Sequence, residues 1–225
     1  MLAYGRCMRI THLGHACLLV EVADQRILLD PGTWASGWEG LADISAVLVT
    51  HQHPDHVDVD RLPLLLDRNG DVPIHCDHET AAILRTLGIE ATAHDGTPRA
   101  VGEVTVHPVG ALHAVIHEDL PRVANTGVVI RAAGEPRLYH CGDAFDGEPG
   151  DVDVVSFPLS APWQASKEMV AFLRRMAVAT AIPVHDGTLS ANGRTLYLDQ
   201  ADRLGCRDTT RLLDLAGKGP TDISP

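Results

Sequence analysis

A chain of 225 residues with 45% apolar and 21% charged side chains is long enough for a sizeable core and too apolar for disorder. Its formal charge of −12, with no basic run, weighs against a nucleic-acid groove, which needs clustered Lys and Arg to neutralise phosphate. No apolar stretch nears the roughly 20 residues that span a bilayer, the opening MLAYGRCMRI lacks an export signal's apolar core, and five scattered cysteines without a CxxC pair make no disulfide framework. The expectation is one cytoplasmic domain over residues 1–225 that does not enter a membrane, of unknown oligomeric state.

Taken in chain order, Ala16–Val22 and Arg26–Asp30 predict two strands joined by the short turn Ala23-Asp24-Gln25, and Pro31-Gly32 breaks the second. Ala46–Thr50 is an apolar run that stops directly on His51, the pattern of a strand buried on both faces. A short helix is expected over Arg61–Asp67, with Pro63 in its first turn and Asn69-Gly70 ending it. Asp77 then reads as the N-cap of a helix that runs through Ala81, Leu84 and Leu87 to Gly88. Further strands are expected at Val104–Val109, Gly127–Arg131, Arg137–Cys141 and Val152–Phe157. The clearest helix is 165–176: Ala165, Met169, Phe172, Leu173 and Met176 share one face, with Lys167, Glu168, Arg174 and Arg175 opposite. Ala181–Val184 is a strand ending on His185, and Asp208–Ala216 predicts a last helix. Strands cluster early and in the middle, with no linker between them. That pattern suggests two packed sheets covered by helices, an α/β or α+β architecture.

Thirteen histidines are the compositional anomaly. Thr50-His51-Gln52-His53-Pro54-Asp55-His56 places three imidazoles and a carboxylate immediately after a buried strand. Neutral imidazole and carboxylate suit Zn, Mn or Fe, and no thiolate lies in the run. Alternation lets His51 and His53 point one way while Asp55 and His56 turn toward a second position, so two ions are expected rather than one. His12, His75, His78, His94, His107, His117 and His140 form no second tight cluster.

The order His-x-His-x-Asp-His resembles the signature of the metallo-β-lactamase superfamily, and the resemblance extends over nearly the whole chain. It aligns Asp30 in Leu28-Leu29-Asp30-Pro31-Gly32 with the family's early Asp, His113 with its lone third-motif His, Asp143 in Tyr139-His140-Cys141-Gly142-Asp143 with its bridging Asp, and His185 with its last His. The resemblance implies a four-layer αββα sandwich with metals at one edge between the sheets. It also implies that His51, His53 and His113 hold one divalent transition-metal ion and that Asp55, His56 and His185 hold a second. Asp143 would bridge them; zinc is the first choice of metal, and Mn or Fe would also suit. Cys141 competes with Asp143, because some family members use Cys at the bridging position. The Gly-Asp pair matches the hydrolytic branches and favours Asp143. Gly14-His15-Ala16, Asp30-Pro31 and Pro183-Val184-His185 look most like the short branch of ascorbate-phosphate lactonase-like enzymes and uncharacterised metal-dependent hydrolases. That likeness brings His15 near the site; a structural role is at least as good a reading.

The function so implied is a metal-dependent hydrolase. A hydroxide bridging two cations, formed near neutral pH, would attack a small ester, lactone or phosphodiester. Asp55 would be both ligand and the catalytic group that orients the nucleophile, and Asp30 would organise the ligand loop through hydrogen bonds. A nuclease acting on nucleic-acid ends and a metal-binding sensor without turnover are the rival readings. Charge weighs against the first and the full ligand set against the second. Trp34, Trp38 and Trp163 fit an apolar wall at the site and core plugs under loops equally well. Arg122 fits either a phosphate-binding cation or an ordinary exposed Arg.

Overall fold

The computed structural model describes residues 7–224; the first six residues of the opening segment lie outside them. Fourteen strands and four α-helices follow one another as β1 (Met8–Gly14), β2 (Cys17–Val22), β3 (Gln25–Leu29), β4 (Ala46–Val49), α1 (Leu62–Asn69), β5 (Ile74–Cys76), α2 (His78–Thr86), β6 (Thr92–Ala93), β7 (Arg99–Val101), β8 (Val104–Val109), β9 (Gly127–Arg131), β10 (Leu138–His140), β11 (Val154–Pro158), α3 (Ser166–Met176), β12 (Thr180–Val184), α4 (Ala191–Gln200), β13 (Arg211–Leu212) and β14 (Thr221–Ile223).

The strands form two seven-stranded sheets, ordered β14-β1-β2-β3-β4-β5-β6 and β13-β12-β11-β10-β9-β8-β7. In the first, pairing is antiparallel from β14 to β3 and parallel from β3 to β6. In the second it is parallel from β13 to β10 and antiparallel from β10 to β7. Each sheet therefore changes pairing sense at one strand, β3 or β10. Ligand sites in α/β sheets favour the carboxyl ends of strands at such points.

Between the sheets lies a core of small aliphatic side chains, among them Ile10, Leu18, Val20, Ile27 and Leu29 from one sheet and Val106, Ile130, Leu138, Val154 and Ile182 from the other. The outer face of the first sheet is covered by α1 and α2 through Leu62, Leu65, Ala81 and Leu84. That of the second is covered by α3 through Met169, Phe172 and Leu173. Helix, sheet, sheet, helix is the expected αββα sandwich. Burying a Leu or Phe side chain in such a layer contributes about 1.5–3 kcal/mol.

Local chemistry sets the helix ends. The Asp77 carboxylate accepts the amides of Glu79 and Thr80, capping α2. Gly70, with φ of 67°, ends α1 as Asn69-Gly70 foretold. In the C-terminal stretch one expectation fails and one helix is unforeseen. The helix predicted over Asp208–Ala216 does not form: Arg211 and Leu212 pair with Thr180 and Ala181 of β12, and Leu213 and Leu215 are buried. Tertiary pairing there overrides helix-favouring composition. Helix α4 lies just upstream, capped by the Ser190 hydroxyl, with no fully buried residue and hence no apolar stripe to betray it.

Candidate metal centre

Four strand ends converge at one edge of the sandwich. β3 delivers Asp30, β4 delivers the loop with His51, His53, Asp55 and His56, β10 delivers Asp143, and β12 delivers His185. His113 follows β8 and lies close to the same group through Asp143. The motif loop is seated on Gly32, where a Cβ would overlap the Asp55 carbonyl. On the other side, Gly142 (φ 59°) lies so close to Asn125 and Thr50 that a Cβ would sit 2.7 Å from the Thr50 Cβ. Asn125 ties the loops together: its Nδ2 donates to the Cys141 carbonyl at 3.1 Å, and its Oδ1 accepts the Asp143 amide at 3.0 Å. His15, Asp30 and His185 all hold left-handed φ values of 49°, 42° and 58°, although none is glycine. Such backbone strain persists where the surroundings over-determine it, most often at functional sites.

The seven sequence-predicted ligands come together. His51 Nε2 and His53 Nδ1 face one another at 3.0 Å, with the His113 ring 4.9 and 4.8 Å from theirs. Asp143 lies in the middle: His56 Nε2 is 3.3 Å from its Oδ1, and His113 Nε2 and His185 Nε2 are 3.4 and 3.2 Å from its Oδ2. Asp55 Oδ2 lies 3.5 Å from His185 Nε2. Potential ligand atoms fall within 4.8 Å of one another in three sets: His51, His53 and His113; His51, His56 and Asp143; and His15, Asp55, His56 and His185.

Whether this cluster suits a cation can be judged from its unsatisfied atoms. His56 Nε2, His113 Nε2, His185 Nε2 and Asp143 Oδ1 are buried without a hydrogen-bond partner among the described residues. Leaving such atoms unpaired costs about 1–3 kcal/mol each. The opposite ring nitrogens are all engaged. His56 Nδ1 donates to Asp30 at 2.7 Å, His113 Nδ1 to the Ala114 carbonyl at 2.7 Å, and His185 Nδ1 to the Ser160 carbonyl at 2.8 Å. A proton on Nδ1 leaves the Nε2 lone pair aimed inward, as metal-ligating histidines require. Ligand atoms on a tetrahedral zinc with bonds of about 2.0–2.1 Å are separated by roughly 3.3 Å, the spacing found around Asp143. The donor set fits divalent transition-metal ions.

Beneath the ligands, Asp30 accepts four hydrogen bonds, from the Thr50 amide (2.7 Å), the Thr50 hydroxyl (2.8 Å), His56 Nδ1 (2.7 Å) and His140 Nε2 (2.8 Å). Burial pushes the Asp30 carboxyl up, but His56 and His140 outweigh it and hold the group far below the usual carboxylate range. Asp143 behaves alike: burial raises it, and His56, His185 and His113 pull it well down. Burial keeps His51 neutral, well below the ordinary imidazole value, and lowers His53 in the same direction. Burial also opposes the charge on His185, yet Asp143 and Asp55 lift it to about 9; a bound cation would take that proton's place.

The remaining sequence candidates part ways. Cys141 is a core residue of the second sheet whose thiol is pushed well up by burial and donates to the Gly142 or Ser156 carbonyl. Trp38 is a fully buried plug below the Gly32 turn, with Arg61 over its ring at 5.0 Å. Trp34 is half exposed, edge-on to His15 at 4.7 Å. Trp163 reaches the cluster itself, where its indole N–H donates to Asp143 Oδ2 at 2.7 Å. Arg122 braces the His113 carbonyl and lies 3.5 Å from Asp146. Sequence reasoning missed His140, Asn125 and the Thr50 hydroxyl, and it named Trp163 without the hydrogen bond that brings it to Asp143. Each acts through a partner 16 or more residues away or, for Thr50, through a hydroxyl with no motif around it.

Residues 9–185 match the family model described as the Beta-lactamase superfamily domain. Protein Rv0786c of Mycobacterium tuberculosis is 40% identical over 203 residues, covering 89% of this chain and 94% of that one. A UPF0173 metal-dependent hydrolase of Methanosphaerula palustris is 31% identical over 200 residues, covering 82% and 86%. Among solved structures, isothiocyanate hydrolase from Delia radicum gut bacteria superposes with a TM-score of 0.70 at 17% identity, covering 97% and 100%. The metallo-beta-lactamase fold protein YhfI from Bacillus subtilis gives 0.68 at 14%, covering 97% and 100%; likeness at this level speaks for the fold.

Proposed function

The chain belongs to the metallo-β-lactamase superfamily, and we propose that it works as a dinuclear hydrolase of small esters, lactones or phosphodiesters. Relatives bear the name metal-dependent hydrolase, and metal-dependent hydrolysis is the reading for this chain as well. The observation that carries the dinuclear assignment is the inward convergence of unpartnered ring nitrogens on both sides of Asp143. His51, His53 and His113 would hold one cation, Asp55, His56 and His185 the other, and Asp143 would serve both. Bound there, two divalent ions, zinc foremost, supply Lewis acidity and a water whose pKa falls toward about 7.

The protein's own groups do the rest. Asp55, partly exposed and kept ionised against burial by His15 and His185, can orient an attacking water by accepting its hydrogen bond. Trp163 holds the Asp143 carboxylate at a fixed angle. Beside the cluster a hollow of 390 Å³ is lined by Ala114, Val115, Phe145 and Trp163, with Arg122, Asp146 and Glu168 around it, which gives a small molecule an apolar wall and polar groups to meet. The chain's charge of −12 favours such a substrate over nucleic acid.

The test is elemental analysis of purified protein followed by a panel of lactones, esters and phosphodiesters. About two transition-metal ions per chain and turnover within the panel are expected. Absence of metal uptake after reconstitution with zinc or manganese would sink the reading.

A further inference from the structure

His15 sits among the candidate ligands, yet its hydrogen bonds run opposite to theirs. It occupies the tight turn between β1 and β2 and is 2% exposed. Its carbonyl accepts the His185 amide at 2.8 Å, and its ring lies 3.9 Å from that of His185. The Nδ1 of His56, His113 and His185 each meets an acceptor, whereas His15 Nδ1 meets a donor, the Gly187 amide, at 3.1 Å. A Cβ on Gly187 would lie 3.0 Å from that Nδ1 and 3.2 Å from the Trp34 ring, so glycine keeps the amide within reach.

A neutral imidazole carries one N–H. With Nδ1 accepting, the proton must be on Nε2, and Nε2 points at Asp55 Oδ2 at 3.1 Å. A ring nitrogen that bears hydrogen has no lone pair to give a cation. Proximity alone would have placed His15 in the same ligand set as Asp55, His56 and His185. Hydrogen-bond polarity removes it.

We propose that His15 is a positioning residue: it donates its Nε2–H to Asp55 and fixes that carboxylate's rotation, and it binds no metal itself. The role assigned to Asp55 rests on the hydrolase reading above; the tautomer of His15 does not, because both its partners belong to the chain.

Long-range proton–nitrogen correlation NMR on the protein, metal-free and zinc-loaded, reads the tautomer directly. The expected result is an Nε2–H ring for His15 in both forms, against Nδ1–H rings for His56, His113 and His185 once zinc is added. A His15 ring with hydrogen on Nδ1, or an Nε2 signal that shifts on zinc binding as the ligands' do, overturns the proposal. If no zinc binds, the hydrolase reading fails, while the metal-free spectrum still decides the tautomer. Two variants test the positioning role through zinc affinity, read by chelator competition. His15→Phe keeps the ring but has no donor, and should lose roughly tenfold or more in affinity for one of the two ions. His15→Gln restores a donor and should recover part of that loss. The reverse order, Phe tolerated and Gln not, would mean that His15 acts only by packing.

Discussion

The two halves of the candidate centre are built from similar side chains but stand on different supports. Behind Asp55, His56 and His185 stand the Asp30 carboxylate, which accepts from His56, the His15 ring, which faces Asp55, and the Ser160 carbonyl, which accepts from His185. Behind His51, His53 and His113 are neutral groups: the Thr50 hydroxyl lies 3.1 Å from His51 Nδ1, and the Ala114 carbonyl accepts from His113. The neutral half also borders the segment that carries exposed Leu112, Val115, Ile116 and Leu120, beside the hollow under Trp163. A carboxylate behind a ligating histidine fixes its ring and raises its basicity. If two ions bind as proposed, the half with His56 braced on Asp30 should hold its ion more firmly than the half of His51, His53 and His113.

Removing the one group both halves share should have the largest effect. Asp143→Ala is expected to abolish hydrolysis and empty both positions, read by elemental analysis and turnover, whereas Cys141→Ser should leave both intact. The opposite pattern would reassign the bridging position. Next comes Asp55→Asn, which keeps shape but loses the charge. The chemical step should slow by roughly a hundredfold or more, with the ion on His51, His53 and His113 retained; unchanged turnover would reduce Asp55 to a structural role. Asp30→Asn sharpens the contrast, since Asp30 bonds His56 directly and reaches His51 only through the Thr50 hydroxyl. Affinity for one ion should fall by about 10–100-fold and for the other by less. Equal losses in a two-step zinc titration would erase the distinction between the halves.

The smallest effect is expected away from both. Arg194 of α4 donates to Asp186 at 2.6 Å and to both oxygens of Asp214 at 2.9 and 2.7 Å. Arg194→Ala should lower stability by about 1 kcal/mol, since these groups are partly solvated, without altering metal content. The loss should depend on pH. Burial raises the Asp214 carboxyl, and its hydrogen bond to Arg194 outweighs that and depresses it. The pair's contribution is therefore complete above the unfolded carboxylate value near 4 and fades as pH falls through the folded one. Thermal melts of both proteins should converge in acid; a constant gap would assign the effect to packing.

Much of the sandwich was legible because its central strands are buried on both faces and read as unbroken apolar runs, such as Ala46–Val49, followed by Thr50 and His51. The edges were not. β6 and β13 have two residues each, too few for any period, and α4 hides because none of its residues is fully buried. β1 does show alternation, with Met8 and Ile10 buried around exposed Arg9, but the run is short and its polar second half blurs it. At the centre, one loop carries four candidates in six residues, so local spacing announces it. His113, Asp143 and His185 are single residues that only the family resemblance picks out. The groups behind them were silent. His140 lies 110 residues from Asp30 and Gly187 172 from His15, and nothing local records either pairing.

The pairing of β14 with β1, Met8 against Ile223 and Ile10 against Thr221, bears on how the chain is made. A ribosome delivers the outer neighbour of β1 more than two hundred residues after β1 itself. Until then the first sheet has an unprotected edge, with ladder amides free to recruit another nascent chain. Joining ends so distant costs little more entropy than joining nearer ones, because the penalty grows only with the logarithm of loop length. The cost is in waiting time. Synthesis at about 5–20 residues per second leaves that edge bare for roughly ten to forty seconds, an interval in which a chaperone could shield it.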